Sequence, residues 1–117
     1  MAKFGKVWGS TQPVELNSCF EFHRIEVQAG SYCSKHLHRH KWNGFWVESG
    51  ELEIHVWKNS YDLVDVTVLR AGEYTAVAPG EYHMFKCNQN TVAFELYWAQ
   101  FDHDDIVRET VGGTSES

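Results

Sequence analysis

Three histidines in this sequence are placed where their side chains could bind one metal ion. His36 and His38 are two residues apart, and alternate residues of an extended chain direct their side chains to the same side. His83 comes much later, just after the turn-forming pair Pro79-Gly80. Imidazole is a common ligand of borderline transition metals, and an open site needs three or four ligands that converge on one point. The three histidines therefore predict a site for a divalent transition metal: zinc, manganese, iron or nickel.

Two nearby polar residues are candidates for a fourth ligand, and water is another. His40 extends the run to His-x-His-x-His and would join the site if the extended segment continued that far; otherwise it is a polar group near the entrance. Asn43 could bind through its amide oxygen, which carries no charge. The alternative for the whole set is a group of hydrogen-bonded core histidines that holds no metal. The remaining histidines are interpreted as strand or surface residues: His23, His55 and His103.

Short strands must position these residues. Segments with alternating or β-favouring residues lie between glycine- and proline-containing turns. These segments are residues 20–27, 43–49, 51–57, 61–70, 73–78 and 91–101. Gly50, between the second and third segments, predicts a hairpin. The spacing predicts an all-β fold of about eight to nine strands, a sandwich or small barrel, with a short helix possible only in the segment DHDDIVRE (102–109).

Composition limits the class of protein. The chain has 117 residues, of which 43% are hydrophobic and 15% aromatic, as expected for a folded β-rich domain. We predict a single domain over residues 1–111 and a flexible tail over 112–117, which has no apolar anchor. The net charge of −6 and the scattered basic residues leave no basic stripe for phosphates, so nucleic acid is not an expected partner.

The cysteines and the absence of long apolar runs predict a cytoplasmic location and no membrane partner. No apolar run approaches the ~18 residues needed to span a bilayer, and the N-terminal residues lack the apolar core of a signal peptide. Cys19, Cys33 and Cys87 are an odd number without close spacing, which indicates reduced thiols. Cys33 and Cys87 lie near the histidines. They are interpreted as small core residues, with a thiolate ligand as the alternative.

The spacing of these residues resembles the two motifs of the cupin superfamily. The first motif is matched by Gly30, His36, His38, Asn43 and Gly50, and the second by Gly72, Pro79, Gly80, His83 and Asn88. This resemblance implies a small jelly-roll β-barrel with a metal bound by His36, His38 and His83. The family usually has glutamate at the position of Asn43, so this chain lacks the expected charged ligand.

Longer segments are similar to the small cupin domain of type II mannose-6-phosphate isomerases. They are KVWGS, HRIEVQAG, FWVESGELE, VLRAGEYTAVAPGEYH, FELYWAQ and DDIVRE. The similarity implies aldose–ketose isomerisation of a sugar phosphate, in which a metal polarises the substrate and a base moves a proton. One departure is Met84, because that family usually has arginine after the histidine of the second motif.

Further residues are candidates for binding and catalysis. Glu95 and Tyr97 share one face of the last strand and are the plausible acid–base pair. Phe45 and Phe85 share strand parity with Asn43 and His83, so we expect them in the wall of a substrate pocket. Lys86 is the nearest cation to His83 and is the predicted anchor for a substrate phosphate. Other possible anchors are Arg24, Lys35, Arg39 and Lys41.

Three functions are compatible with these residues. The first is a metal-dependent enzyme acting on a small polar molecule, with isomerase leading and lyase or oxygenase behind it. The second is a carbohydrate- or small-molecule-binding cupin without turnover, in which aromatic residues stack on the ligand. The third is a structural protein whose metal stabilises the fold. We expect a homodimer, because a small barrel leaves strand edges and apolar rims that pairing buries.

Overall fold

A computed structural model describes residues 2–58, 63–99 and 103–115, and the fold within these ranges is all-β. Its nine strands are β1 (Phe4–Lys6), β2 (Gly9–Leu16), β3 (Phe20–Val27), β4 (Trp42–Ser49), β5 (Glu51–Trp57), β6 (Val64–Arg70), β7 (Tyr74–Val77), β8 (Tyr82–Lys86) and β9 (Thr91–Trp98). The predictions for residues 20–27 and 51–57 are confirmed to the residue. None of the described residues forms a helix, so that part of the chain has no helix that could cross a membrane.

The strands form two antiparallel sheets. The larger has the order β1-β2-β3-β9-β4-β7, and the smaller has the order β6-β5-β8. In β5 the residues Leu52, Ile54 and Val56 are buried, and in β3 Ile25 and Val27 are buried, as period-two alternation requires. These side chains pack into one hydrophobic core shared by both sheets. The arrangement confirms the predicted all-β fold and is consistent with a small jelly-roll barrel.

The hairpin predicted at Gly50 is wrong. β4 pairs with β7 and β9, whereas β5 pairs with β6 and β8, so the chain crosses from one sheet to the other at this glycine. Gly50 has a φ of +89°, and a Cβ atom there would lie 2.5 Å from the carbonyl oxygen of Asn90. The glycine is therefore needed for a tight corner against the start of β9. A local turn signal cannot show which strands will become neighbours, because both flanking strands find their partners far away in the sequence.

The short helix considered for the segment DHDDIVRE is also wrong for its described part. Residues 103–109 contain no helix, and they are exposed. The helix would have had no apolar stripe covering a core, which is what stabilises most short helices in proteins. Residue 102 and the strand ends predicted at 61–62 and 100–101 lie outside the described residues.

Candidate metal centre

The loop before β4 brings two of the three histidines against the third, which lies on β8. The His36 N–H donates to the His83 carbonyl at 3.0 Å, and the His83 N–H donates to the His36 carbonyl at 2.8 Å. The Gly80 N–H donates to the carbonyl of His38 at 2.8 Å. His36 and His38 thus occupy a loop outside any regular strand, which backbone hydrogen bonds hold to β8 at His36 and to the turn before β8 at His38. One nitrogen from each of the three rings lies within 4.8 Å of the others.

Backbone carbonyls determine which nitrogen of two rings faces the cluster. His36 Nδ1 lies 2.7 Å from the carbonyl oxygen of Ser34, and His83 Nδ1 lies 2.9 Å from that of Glu81. A carbonyl oxygen can only accept, so each Nδ1 donates its proton and each Nε2 keeps a lone pair. This is the tautomer in which imidazole binds a metal, with the second nitrogen oriented by a hydrogen bond.

The polar contacts around His83 and Asn43 need one more hydrogen-bond donor than these side chains supply. Asn43 Nδ2 donates to the Leu96 carbonyl at 3.3 Å, and Asn43 Oδ1 lies 3.0 Å from His83 Nε2. Because the ring proton of neutral His83 is directed to Glu81, two lone pairs face each other at Nε2 and Oδ1. Exchanging the two ends of the Asn43 amide only moves the conflict to Leu96, where two oxygens would then meet. A second ring proton or a cation is needed to satisfy every contact.

The buried position of the cluster disfavours a second ring proton. Burial lowers the pKa of His83, which disfavours its charged form. Burial, and then the neighbouring His36, Lys41 and His83, lower the pKa of His38 to about 4. His38 Nε2 is buried and has no hydrogen-bond partner among the described residues. Neutral imidazoles with bare nitrogens and an amide oxygen are a donor set that fits a divalent transition metal.

Asn43 is better placed than His40 to be a fourth ligand. Asn43 is fully buried and its Oδ1 faces His83, whereas His40 lies in an exposed bend outside the histidine cluster. The cysteines are not in the cluster either. Cys33 is buried, and its sulfur accepts a hydrogen bond from the Phe85 N–H at 3.2 Å, which suits a core residue. Burial also raises the pKa of Cys33 to about 11, so its thiolate form is disfavoured.

A cavity of about 310 Å³ adjoins the histidines. His36, Phe85, Glu95 and Tyr97 line it, together with cationic Lys6 and Lys41. The predicted acid–base pair therefore faces the interior. Burial raises the pKa of Glu95, and burial together with the adjacent Glu95 raises the pKa of Tyr97. The ring of Tyr97 also packs edge-on against that of His38, with centroids 5.1 Å apart.

The sequence matches the cupin domain family over residues 23–99. The chain belongs to this family. The match includes His36, His38 and His83, as well as every strand from β4 to β9. Among proteins of curated function, no relative is close enough in sequence to match. The resemblance to mannose-6-phosphate isomerases is therefore not confirmed beyond the shared cupin domain.

Solved structures similar to this cupin share its fold at low sequence identity. KdgF from Halomonas sp. has a TM-score of 0.73 at 11% identity, with 86% of this chain and 90% of that one aligned. The Cnp3 cupin domain of Schizosaccharomyces pombe has a TM-score of 0.70 at 13% identity, covering 86% of this chain and 69% of that one. CapF of Staphylococcus aureus, a capsular polysaccharide assembling protein, has a TM-score of 0.74 at 16% identity, covering 89% of this cupin but 32% of CapF. Identities this low show the fold alone.

The predicted substrate-binding residues of the cupin are divided between the cavity and other places. Phe85 lines the cavity, and the ring of Phe45 packs beside it with centroids 6.1 Å apart. Phe45 is almost fully buried and contacts the His83 ring at a centroid distance of 6.4 Å. Lys86 is not brought to the site. It has the opposite parity from His83 and Phe85 on β8, so it lies on the other face of the small sheet.

The other predicted phosphate anchors are mostly engaged elsewhere. Arg24 forms an ion pair with Glu26 at 2.6 Å, and the ammonium group of Lys35 lies 4.1 Å from the ring centroid of Trp57. Arg39 is exposed in the same bend as His40. Lys41 alone among these candidates lines the cavity, where its Nζ lies 4.2 Å from the ring centroid of Tyr97.

Sequence reasoning did not assign His23 to the cavity. It also missed five other lining residues: Lys6, Trp8, Thr11, Glu21 and Ser34. His23 was interpreted as a strand or surface residue, and it does lie on β3, but it faces inward and lines the cavity. The signal was present in the sequence. Glu21, His23, Ile25 and Val27 alternate along the strand, and the last two belong to the core, so all four must share the inward face.

Proposed function

We propose that this cupin is a metal-dependent enzyme that acts on a small, polar, hydroxyl-bearing substrate. Aldose–ketose isomerisation of a sugar phosphate, of the mannose-6-phosphate type, is the first reaction to test. The observation that carries the metal part is the approach of His83 Nε2 to Asn43 Oδ1 at 3.0 Å, where only a second ring proton or a cation satisfies both lone pairs. The cavity next to it supplies room for a small substrate.

The proposed ligands are His36, His38, His83 and Asn43. When bound, a divalent transition metal would supply Lewis-acid polarisation of a substrate carbonyl or hydroxyl. All four ligands are neutral, so none of them offsets the charge of the ion, and its polarising power stays high. The proposed ion is zinc, manganese, iron or nickel.

Residues in and beside the cavity are proposed for the remaining roles: proton transfer, an apolar wall and binding of an anionic group. Glu95 and Tyr97 are proposed as the acid–base pair, because both face the cavity from β9. Phe85, supported by Phe45, is proposed as an apolar wall against one face of the substrate. Lys41 is the better-placed cation for an anionic group, because Lys86 lies on the opposite face of β8.

Metal content tests the proposed ligands. We expect about one bound ion per chain in the wild-type protein, measured by mass spectrometry after purification. His38→Ala should lose most of this metal. His40→Ala is the matched control, because it changes a histidine two residues away that is exposed and outside the cluster, and it should retain the metal. Full metal stoichiometry in His38→Ala would remove the proposed site.

A direct assay tests the isomerase. Protein saturated in turn with each of the four metals is incubated with mannose 6-phosphate, and fructose 6-phosphate is measured. Formation that depends on the metal supports the proposal, and none with any metal removes this reaction. In that case a lyase or dioxygenase, or a carbohydrate-binding cupin without turnover, is the next candidate. Calorimetric binding of the sugar phosphate without conversion would favour the last.

The homodimer and the cytoplasmic location remain predictions. The outer face of the large sheet carries an apolar patch that a second copy could cover. This patch is formed by Phe22, Trp46, Tyr74, Phe94 and Leu96. Molar mass from light scattering during size-exclusion chromatography tests the dimer, and a monomer at high protein concentration would contradict it.

A further inference from the structure

His23 and Glu21 form a hydrogen-bonded pair on the inward face of β3. His23 Nε2 lies 2.9 Å from a carboxylate oxygen of Glu21, and 14% of the His23 side chain is exposed. The two residues share the face that carries Ile25 and Val27 into the core. Both residues line the cavity beside His36, with His23 mostly buried and the Glu21 side chain 39% exposed at the end nearer to solvent.

The carboxylate determines the tautomer of His23. Glu21 can only accept, so Nε2 donates and Nδ1 keeps its lone pair. This Nδ1 atom is buried and has no hydrogen-bond partner among the described residues. Buried acceptors without partners are rare in folded proteins. His23 lines the same cavity as His36, and a ligand hydroxyl that displaces the groups covering Nδ1 is the donor that would satisfy this atom.

We propose that His23, oriented by Glu21, accepts the proton of a substrate hydroxyl in this cavity. The step breaks the O–H bond of the ligand and forms an N–H bond at His23 Nδ1, while the electron pair stays on the ligand oxygen. The resulting imidazolium donates from Nε2 to the Glu21 carboxylate, as in other histidine–carboxylate pairs. The ligand class is a polyol or sugar. This inference rests on the proposed function, since it assigns a proton acceptor to the same site.

The surroundings of His23 suit a transferred proton. Glu95, its cross-strand neighbour on β9, and Tyr97, whose ring centroid is 5.8 Å away, face it from that strand. Lys6 and Lys41 line the same cavity, so positive charge lies near the oxygen that gives up its proton. The interior face of β3 and β9 is therefore a polar region with both signs of charge.

A second glutamate–histidine pair in the chain provides a matched control. Glu53 and His55 have the same spacing on β5, with His55 Nε2 3.1 Å from Glu53 and 16% of the His55 side chain exposed. Leu52, Ile54 and Val56 are the buried residues of β5, so this pair faces away from the core. The two pairs have equal local chemistry and opposite orientation, and only one of them lies in the cavity.

Kinetics of His23→Asn and His55→Asn test the inference. With metal-loaded protein and mannose 6-phosphate, we expect His23→Asn to lower kcat by about 100-fold or more, with KM changed much less. His55→Asn should match the wild type. A kcat for His23→Asn close to that of the wild type would overturn the role of His23 as proton acceptor.

NMR of the wild-type ring nitrogens is an independent test that needs no variant to fold. In zinc-loaded protein, we expect His23 to be protonated at Nε2 and bare at Nδ1. Glu21→Leu should lose this single tautomer, and Glu21→Gln should restore it through its side-chain oxygen. Protonation at Nδ1 in the wild type would overturn the inference. If the wild type converts no mannose 6-phosphate, the isomerase proposal fails, and the tautomer alone decides whether His23 can accept a proton.

Discussion

The Nε2 atom of His83 and the Oδ1 atom of Asn43 lie 3.0 Å apart and connect the two sheets of the barrel. His83 lies on β8 of the small sheet, and Asn43 lies on β4 of the large one. Both side chains are almost completely buried. The contact places the amide oxygen of Asn43 against one ring of the histidine cluster, as its proposed role as fourth ligand requires.

Substitution of Asn43 should change metal affinity in a direction set by its charge. Asn43→Asp adds a negative charge at nearly unchanged volume, and we expect it to raise the affinity by about tenfold or more. Asn43→Leu removes the oxygen and should lower affinity by about 10–100-fold. Competition with a chelator of known affinity measures both changes. Unchanged affinity in Asn43→Leu would show that Asn43 is not a ligand.

Metal binding should stabilise the fold, because the site joins a loop to strands of both sheets. A ligand that binds only the folded state adds about 2.7 kcal/mol when its free concentration is 100 times Kd. We therefore expect Tm to rise by several degrees when zinc is added to chelator-treated protein. His36→Ala should abolish the rise, and His40→Ala should preserve it. An equal rise in all three proteins would indicate metal binding elsewhere.

Replacement of Gly50 by alanine should destabilise the folded state more than replacement of Gly30 by alanine. Both have a positive φ, at +89° and +80°, which costs a residue with a Cβ atom about 1–2 kcal/mol. A Cβ at Gly50 would also lie 2.5 Å from the Asn90 carbonyl oxygen, whereas nothing lies within 4 Å of one at Gly30. We expect Gly50→Ala to lower the free energy of unfolding by clearly more than Gly30→Ala does, as measured by urea denaturation. Equal losses would contradict the tight corner.

The buried thiols should react slowly. Cys19 is exposed, whereas Cys33 and Cys87 are buried with pKa values raised by burial. A thiol-specific chromogenic reagent at pH 8 should therefore modify Cys19 quickly and the other two only after unfolding. Cys19→Ala should remove the fast phase. A fast phase that persists in this variant would show that a buried thiol is reactive.

The raised pKa of Cys33 predicts that the folded state becomes less stable at alkaline pH. Burial raises the Cys33 pKa from the ordinary thiol value of 9.0 to about 11 in the folded state, so the folded protein holds this proton more tightly than the unfolded chain. The contribution is complete below pH 9 and disappears as the pH rises from about 9 to 11, amounting to roughly 2–3 kcal/mol at most. Urea denaturation across this range should show a smaller decline for Cys33→Ala than for the wild type, with Cys19→Ala as the control. An identical decline of the free energy of unfolding in the wild type and both variants would contradict a contribution from Cys33.

Motif spacing and alternation were sufficient to predict six of the nine strands in the described residues and the convergence of three histidines, whereas β1, β2 and β8 were not predicted as separate segments. The bounds of β3 and β5 follow from alternation within each segment, and His36, His38 and His83 follow from spacing on either side of recognisable turns. These features are local, since each depends on the few residues around it. The helix considered near residue 105 failed because its pattern had no apolar face to bury.

The outcomes at Gly50, His23 and Lys86 differ in their physical cause. Alternation shows which residues of a strand share a face, so it already groups His23 with Ile25 and Val27 and separates Lys86 from His83. Alternation does not show which strands become neighbours, and the assembly of the two sheets separated β4 from β5 at Gly50.

The local pattern of the chain was enough to predict an all-β fold, and the resemblance to the two cupin motifs implied the family and the cluster of three histidines that could hold a metal. The Asn43–His83 contact and the cavity depend on tertiary structure, because each brings together residues that are far apart in sequence. The His23–Glu21 pair is local to β3, but only the packing of the strands places it beside His36.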